Sequence, residues 1–214
     1  MLRRFLSSKS HGIQKMRQLV ESPPLYTELK KYADYLTGCL PVQSYNLWKD
    51  ELVLNVDKDN LVEVMHFLKN DQHFKHLLDV IGVDFPEKEN RFKLVYPLLS
   101  VHHNARIQVV TTTNESEMVP SLVNLFKSAN WFEREAYDMF GVVFSDHPDL
   151  RRILTDYGFV GHPLRKDFPL TGYTEVRYDE DKKMVVEEPL SMAQEHRNFE
   201  YNSTWDQTGD YKKK

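Results

Sequence analysis

Cysteine is nearly absent from this chain: Cys39 is the only one in 214 residues. A single thiol makes no internal disulfide, and iron–sulfur centres and zinc ribbons need several thiolates at close spacing, so redox chemistry must belong to neighbours. An excess of positive charge is also missing. Lys and Arg total 28 against 32 Asp and Glu, a net charge of −4, so no overall positive field draws the chain to nucleic acid or anionic lipid. Long apolar runs are absent as well. The stretch over residues 94–101 falls far below the roughly 20 residues of a membrane span and contains Pro97 and Ser100. It predicts no direct span, though docking on a membrane complex stays open. With 8 glycines, no loop reads as a phosphate cradle and no residue as an activated nucleophile.

What is present fits a single domain. The chain is 41% hydrophobic and 28% charged, and a domain of about 140 residues buries roughly 68–70% of its unfolded surface, so it folds without disulfide or metal. Helical periodicity covers 25–37, and Gly38 with Pro41 predicts its stop through φ freedom and a missing N–H. Strands are expected at 42–47 and 51–56, around a tight turn at Trp48, Lys49 and Asp50. Leu61, Val64, Met65 and Leu68 then make one helical stripe. Three β-rich runs, 77–85, 91–99 and 105–113, read as a meander with one buried and one wetter face. Over 130–141, Asn130 is expected to cap a helix, Glu133 to cap it reciprocally, and Gly141 to end it in the left-handed region. Phe132, Ala136, Met139 and Phe140 are its expected inward face, which leaves Glu133, Arg134 and Asp138 outward for partners. The fold class is therefore α+β: a single domain with a mixed or antiparallel sheet covered by helices, followed by a long extended C-terminal tail.

Four segments follow from this reading. Residues 1–22 carry Arg3, Arg4, Lys9, Lys15 and Arg17 with no acid before Glu21, the composition of a mitochondrial targeting segment; N-terminal sequencing checks its removal. Residues 23–145 form the α+β domain, 146–170 an interface loop, and 171–214 the tail. That tail loses periodicity yet holds Tyr173, Tyr178, Phe199, Tyr201, Trp205 and Tyr211, whereas disordered tails are poor in aromatics. Ordering about 40 residues at ~1 kcal/mol each takes roughly 1,600 Å² of apolar burial at about 25 cal/mol per Å², the size of a standard protein interface. The expectation is that the tail wraps a partner.

Clusters with chemical potential have simpler explanations. His73 and His76 sit at i and i+3, as some metal-ligating pairs do, but no further ligands cluster with them, and His102 and His103 read as turn residues. No metal, cofactor or catalytic residue is assigned. Glu133, Glu135 and Asp138 can supply paired carboxylates and Arg165, Lys166 and Asp167 an anion clamp, although helix capping already accounts for the early glutamates. The Asn114 and Asn202 glycosylation matches read as chance. The 147–152 and 161–170 segments combine prolines, glycines and clustered Arg, which suits carboxylate pairing across an interface.

Those residues also carry a family likeness. Glu133-Arg134-Glu135, Asp138-Met139-Phe140-Gly141, Phe144, 147–154 and 161–170 closely resemble the signature of the 30 kDa subunit of respiratory complex I, the iron–sulfur protein 3 or bacterial C-subunit type. Weaker similarity runs back through Gly82-Val83-Asp84-Phe85-Pro86 and forward through 172–178 and 187–189. The resemblance implies a core structural subunit of the peripheral arm of NADH:ubiquinone oxidoreductase, bracing the quinone-reaction module while electrons pass from NADH to ubiquinone and protons are pumped. It implies no autonomous catalytic site. FMN and iron–sulfur clusters would lie in partners, namely the hydrogenase-like large subunit that forms the quinone site and the iron–sulfur subunits. The implied location is the matrix side of the mitochondrial inner membrane, within a large hetero-oligomer. The signature residues expected at interfaces are Glu133, Arg134, Glu135, Asp138, His147, Arg151, Arg152, His162, Arg165, Lys166 and Asp167. Alternatives are the equivalent subunit of a membrane-bound hydrogenase-type complex, an acid–base enzyme using Glu135 and His162, and an RNA-binding protein.

Overall fold

Two short strands, not one, line the outer edge of the central sheet, and a proline accounts for the break. The structure, a computed structural model, describes residues 24–48, 51–192 and, singly, 194, 197 and 199. The expected targeting segment, Lys49 and Asp50 of the expected turn, and Tyr201, Trp205 and Tyr211 of the tail lie outside the described residues. The chain divides into two compact units, 1–169 and 170–214.

In the first unit, α1 (Pro24–Cys39) leads into β1 (Val42–Trp48) and β2 (Glu51–Val56), which pair antiparallel with Trp48 opposite Glu51. The helix outruns its predicted stop by two residues. Gly38 is not among the positive-φ glycines, and Leu40 N–H closes the last turn on Leu36 C=O at 2.9 Å. A 3₁₀ turn at Lys58–Asn60 opens α2 (Leu61–Asn70), whose stripe of Leu61, Val64, Met65 and Leu68 is buried as its spacing predicts.

The sheet continues through β3 (His76–Leu77), β4 (Ile81–Asp84), β5 (Phe92–Ser100) and β6 (Ala105–Thr113). Its order is β1-β2-β6-β5-β3, with β4 also on β5, and β2 lies parallel to β6 while the other pairs are antiparallel. The meander is thus extended into a mixed sheet. Pro97 interrupts the ladder on the outer side of β5. It accepts from Leu78 N–H at 3.0 Å but has no N–H to return, so the run at 77–85 splits around 78–80. Along β5 the faces alternate strictly, with Phe92, Leu94, Tyr96, Leu98 and Ser100 buried. These pack with α1, α2 and residues 119–126 into one core.

Beyond the sheet, β7 (Val119–Pro120) and β8 (Phe144–Ser145) pair in parallel at the two ends of the connection through α3 (Ala129–Phe140). Gly141 ends α3 at φ 80°, left-handed as expected. The start differs from expectation. Asn130 lies inside the helix; Ser128 is the cap position and makes no side-chain capping bond, because its hydroxyl donates to Leu77 C=O at 3.2 Å.

In the second unit, β9 (Thr174–Asp179) and β10 (Met184–Pro189) form an antiparallel hairpin, an element absent from the sequence reading. Asp179 Oδ1 receives the N–H groups of Asp181 and Lys182 in the turn, and Lys183 adopts φ 53°.

Candidate interface site

The expectation that Glu133, Arg134 and Asp138 face outward is overturned: all three are buried, at 0%, 6% and 0% exposure. A buried charge must be hydrogen-bonded, and α3 meets that demand by reaching the loops that follow and precede it. Asp138 accepts from the N–H groups of Ile153, Leu154 and Thr155 at 3.2, 2.8 and 2.9 Å and from the Thr155 hydroxyl at 2.7 Å. Burial alone would raise its pKa; the Thr155 backbone and hydroxyl, with Leu154 and Ile153, outweigh that and hold the carboxyl below the usual carboxylate range. Arg152 stands 3.8 Å from the same carboxylate and donates to Phe159 C=O at 3.0 Å. His162 Nδ1 donates to the backbone carbonyl of Asp138 at 2.9 Å, which fixes its tautomer. Burial pushes the pKa of His162 down.

Glu133 binds in the other direction along the chain. It accepts from Ser121 Oγ at 2.6 Å and from Leu122 N–H at 2.7 Å, so it holds the segment before α3 and is not a reciprocal cap. Burial pushes its pKa up to about 7. His147, its side chain also fully buried, lies 3.9 Å from Glu133. Its Nδ1 accepts from Asp149 N–H at 3.1 Å, so the proton sits on Nε2, which donates to Asn130 C=O at 3.2 Å. Burial, with a smaller effect of Glu133, raises the Tyr96 hydroxyl well above its ordinary pKa.

A third anchor centres on Arg91, to which no sequence motif assigns a role. Arg91 grips Asp84 bidentately at 2.7 and 3.0 Å and also meets Glu115 at 2.5 Å and Asp167 at 3.0 Å. Asp84 in turn accepts from Lys166 N–H at 2.8 Å. The Arg91 guanidinium holds both Asp84 and Asp167 below the ordinary carboxylate range. Arg165 donates to Phe140 C=O at 2.6 Å, lies 3.5 Å from Glu115 and stacks over Phe92. The anion clamp expected of Arg165, Lys166 and Asp167 is therefore closed on the chain itself. Asp84 and Arg91 flank the Pro86 turn, and an Asp and an Arg on either side of a turn are the available sequence signal for this pair.

The signature residues thus fall into three groups. Asp138, Arg152 and His162 come together, as do Glu133 with His147 and Arg165 with Asp167, while Glu135, Arg151 and the Lys166 side chain remain at the surface. Arg151 pairs with Asp149 at 2.9 Å, both exposed. Arg134 approaches the Arg151 carbonyl at 3.4 Å and the Trp131 ring. Glu135 and His162, the pair an acid–base enzyme would need, share no hydrogen bond or ion pair among the described residues. Among the described residues no group of three or more His, Cys, Asp or Glu is arranged to hold a metal. The rings of His73, His102 and His103 do gather, at 4.5 to 5.9 Å between centroids, and the expected partner of His73, His76, is not among them. Three internally anchored segments result, and the 151–164 stretch holds Leu154, Tyr157, Val160 and Leu164 exposed.

Comparison with known proteins agrees with this signature. Residues 54–174 match the family model described as "Respiratory-chain NADH dehydrogenase, 30 Kd subunit". The chain is 56% identical over 190 residues to NADH dehydrogenase (ubiquinone) iron-sulfur protein 3, mitochondrial, of Candida albicans, covering 86% of this chain and 68% of that one. To NADH-ubiquinone oxidoreductase subunit 9 of Reclinomonas americana it is 58% identical over 161 residues, covering 74% and 79%. Among solved structures, the trypsin-resistant fragment (1-134) of Nqo5 superposes with TM-score 0.50 at 28% identity, over 57% of this chain and 98% of that one. A chain of an archaeal membrane-bound sulfane sulfur reductase gives TM-score 0.56 at 24% identity, over 74% and 99%, and shares the fold.

Proposed function

Since the chain belongs to the family of the respiratory-chain NADH dehydrogenase 30 kDa subunit, we propose that it is a core structural subunit of the peripheral arm of NADH:ubiquinone oxidoreductase, bracing the quinone-reaction module. The observation that carries the reading is the internal anchoring of residues 147–168. Asp138 and Asp84 fix the backbone on either side of exposed Leu154, Tyr157, Val160 and Leu164. A loop already held in its bound shape loses little entropy on docking, and exposed apolar side chains set among polar ones are what a docking surface requires.

In this role the chain acts by position. Its fixed loops and its tail pack against the hydrogenase-like large subunit that forms the quinone site and against the neighbouring iron–sulfur subunits. FMN and the clusters belong to those partners. The lone Cys39, exposed at the end of α1, does not meet the several thiolates a cluster takes, so this chain does not supply the ligands of a cluster by itself. Small displacements of the quinone module change the alignment of reacting groups, and a missing brace lowers the amount of assembled enzyme more than turnover per assembled enzyme. Among the described residues no helix is long and apolar enough to cross a membrane. That fits peripheral attachment at the matrix face of the mitochondrial inner membrane.

Native purification of the tagged chain from detergent-solubilised membranes, with mass spectrometry and NADH:quinone activity, tests the proposal. Recovery in a large active complex containing flavin and iron–sulfur subunits is expected. Recovery as a lone 25.3 kDa species would refute it.

A further inference from the structure

Helix α3 crosses the edge strand β4 at Gly82, and the crossing leaves a cleft. The Phe140 ring lies so close to Gly82 that a Cβ there would come within 2.5 Å of it. Beside this contact is a cavity of about 150 Å³, floored by Val80, Ala136 and Phe140 and bounded by Leu164. Small-molecule sites run to roughly 300–1,000 Å³, so this cleft is sized for one side chain and not for a cofactor or substrate.

The rim is acidic on both contributing elements. Asp79 stands on the strand side and Glu135 on the helix, and no lysine or arginine lines the cleft. One Asp79 oxygen accepts from Val80 N–H at 2.7 Å. Glu135 is exposed and makes no hydrogen bond or ion pair among the described residues. The other charges at the centre of α3 are all employed inside the molecule: Glu133 on Leu122, Asp138 on Thr155, and Arg134 at the Arg151 carbonyl. Around the cleft, Ile81 and Leu164 are 43% and 54% exposed. They supply an apolar border of the kind that excludes water around a central contact.

We infer that this cleft receives a basic side chain, lysine or arginine, from a neighbouring subunit of the assembled complex. The inference rests on the subunit reading above and adds to it the chemistry of one contact. Lysine and arginine lay an aliphatic stem on apolar surface and keep the charged head at a polar rim, which matches an apolar floor under two carboxylates. An anionic group is repelled there. A neutral apolar group would strip water from Asp79 and Glu135 without replacing it, at a cost that a charge-assisted pair avoids.

Carboxyl labelling with a carbodiimide and glycine ethyl ester, read by mass spectrometry, tests this on the full chain alone and in the purified complex. Glu135 is expected to label in the lone chain and to lose about tenfold or more of that labelling in the complex, as a contact at the centre of an interface would. Glu135→Gln is expected to reduce incorporation into the complex and Glu135→Lys to reduce it further, while both lone variants melt with wild-type midpoints. Equal labelling in the two states overturns the inference, as does protection accompanied by full incorporation of Glu135→Gln, which would mean a neutral cover. A chain that never enters a complex would instead remove the subunit reading itself, and this inference with it.

Discussion

At the scale of single residues, two buried carboxylates on one helix respond to pH in opposite senses. Asp138 has a depressed folded-state pKa, so its contribution is present above its unfolded value and is lost as pH falls through the folded one. Asp138→Ala leaves three N–H groups and a hydroxyl without their acceptor. At about 1–3 kcal/mol for an unsatisfied buried group, partly relieved by water in a surface loop, the loss should be roughly 2–3 kcal/mol, read from urea unfolding at neutral pH. Glu133 has its folded pKa raised from 4.5 to about 7. The folded state therefore holds the proton more tightly, and its stabilisation is full below the unfolded pKa and declines as pH rises to about 7. The decline is on the order of 3 kcal/mol. Glu133→Gln retains an acceptor for Leu122 N–H and removes this titration, so between about pH 5 and about pH 8 the wild type should lose stability relative to the variant, the other titrating groups being common to both. Parallel curves for the two proteins would show that Glu133 does not titrate in this window. Neither burial was legible in the sequence. Charge on a short helix reads as solvent-facing, and the groups that satisfy Glu133 and Asp138 lie 11 to 17 positions away, beyond any helical spacing.

At the scale of elements, the sequence exposed whatever had a period and missed whatever was fixed by a distant partner. The stripe of α2, the β5–β6 meander and the glycine after α3 were readable, because burial on one face leaves a pattern at 3.6 or 2 residues, although Val110 of β6 is buried where alternation would leave it on the wetter face. The β3–β4 break follows from Pro97 on a neighbouring strand, and the two-residue strands β7 and β8 are too short to carry a period. The β9–β10 hairpin escaped because Tyr178 and Val185, among others, stay exposed on it, so no buried face imposes alternation. Its Arg177–Glu188 pair, at 2.6 Å, is solvent-exposed, and such pairs add little; Arg177→Ala should leave the melting midpoint of the chain unchanged within error. Gly141 is the opposite case. At φ 80°, a Cβ would strain the backbone and lie 2.5 Å from Arg165 Nη2 and 2.7 Å from His162 Nε2. Gly141→Ala should therefore cost about 2 kcal/mol or more, since the left-handed backbone alone costs roughly 1–2 kcal/mol. It should also loosen the 161–168 loop, an effect visible as faster amide exchange at Arg165 and Lys166.

At the scale of the whole molecule, the described core and the C-terminal unit occupy different stretches of chain. Among the described residues, the buried members of the core cluster fall between Ala33 and Phe144, inside the unit that ends at Pro169. The second unit carries Tyr173, Val176, Tyr178, Met184 and Val185, each more than half exposed, and its described residues add nothing to the buried core. A chain ended after Pro169 should then unfold cooperatively in urea with a midpoint close to that of the full chain, because the apolar burial that sets stability is retained. If residues 170–214 wrap a neighbour, the same truncation removes contact area of the order of a standard interface, and its incorporation should fall about tenfold or more, as for other losses of central contacts. Native electrophoresis with immunoblotting against another protein of the same complex measures this. Full incorporation of the truncated chain would count against the wrapping role of the tail, whereas loss of cooperative unfolding would show that the stretch after Pro169 belongs to the folding unit. A chain that folds as before and assembles less well is the outcome required if the tail adds its own contacts to those proposed on the first unit.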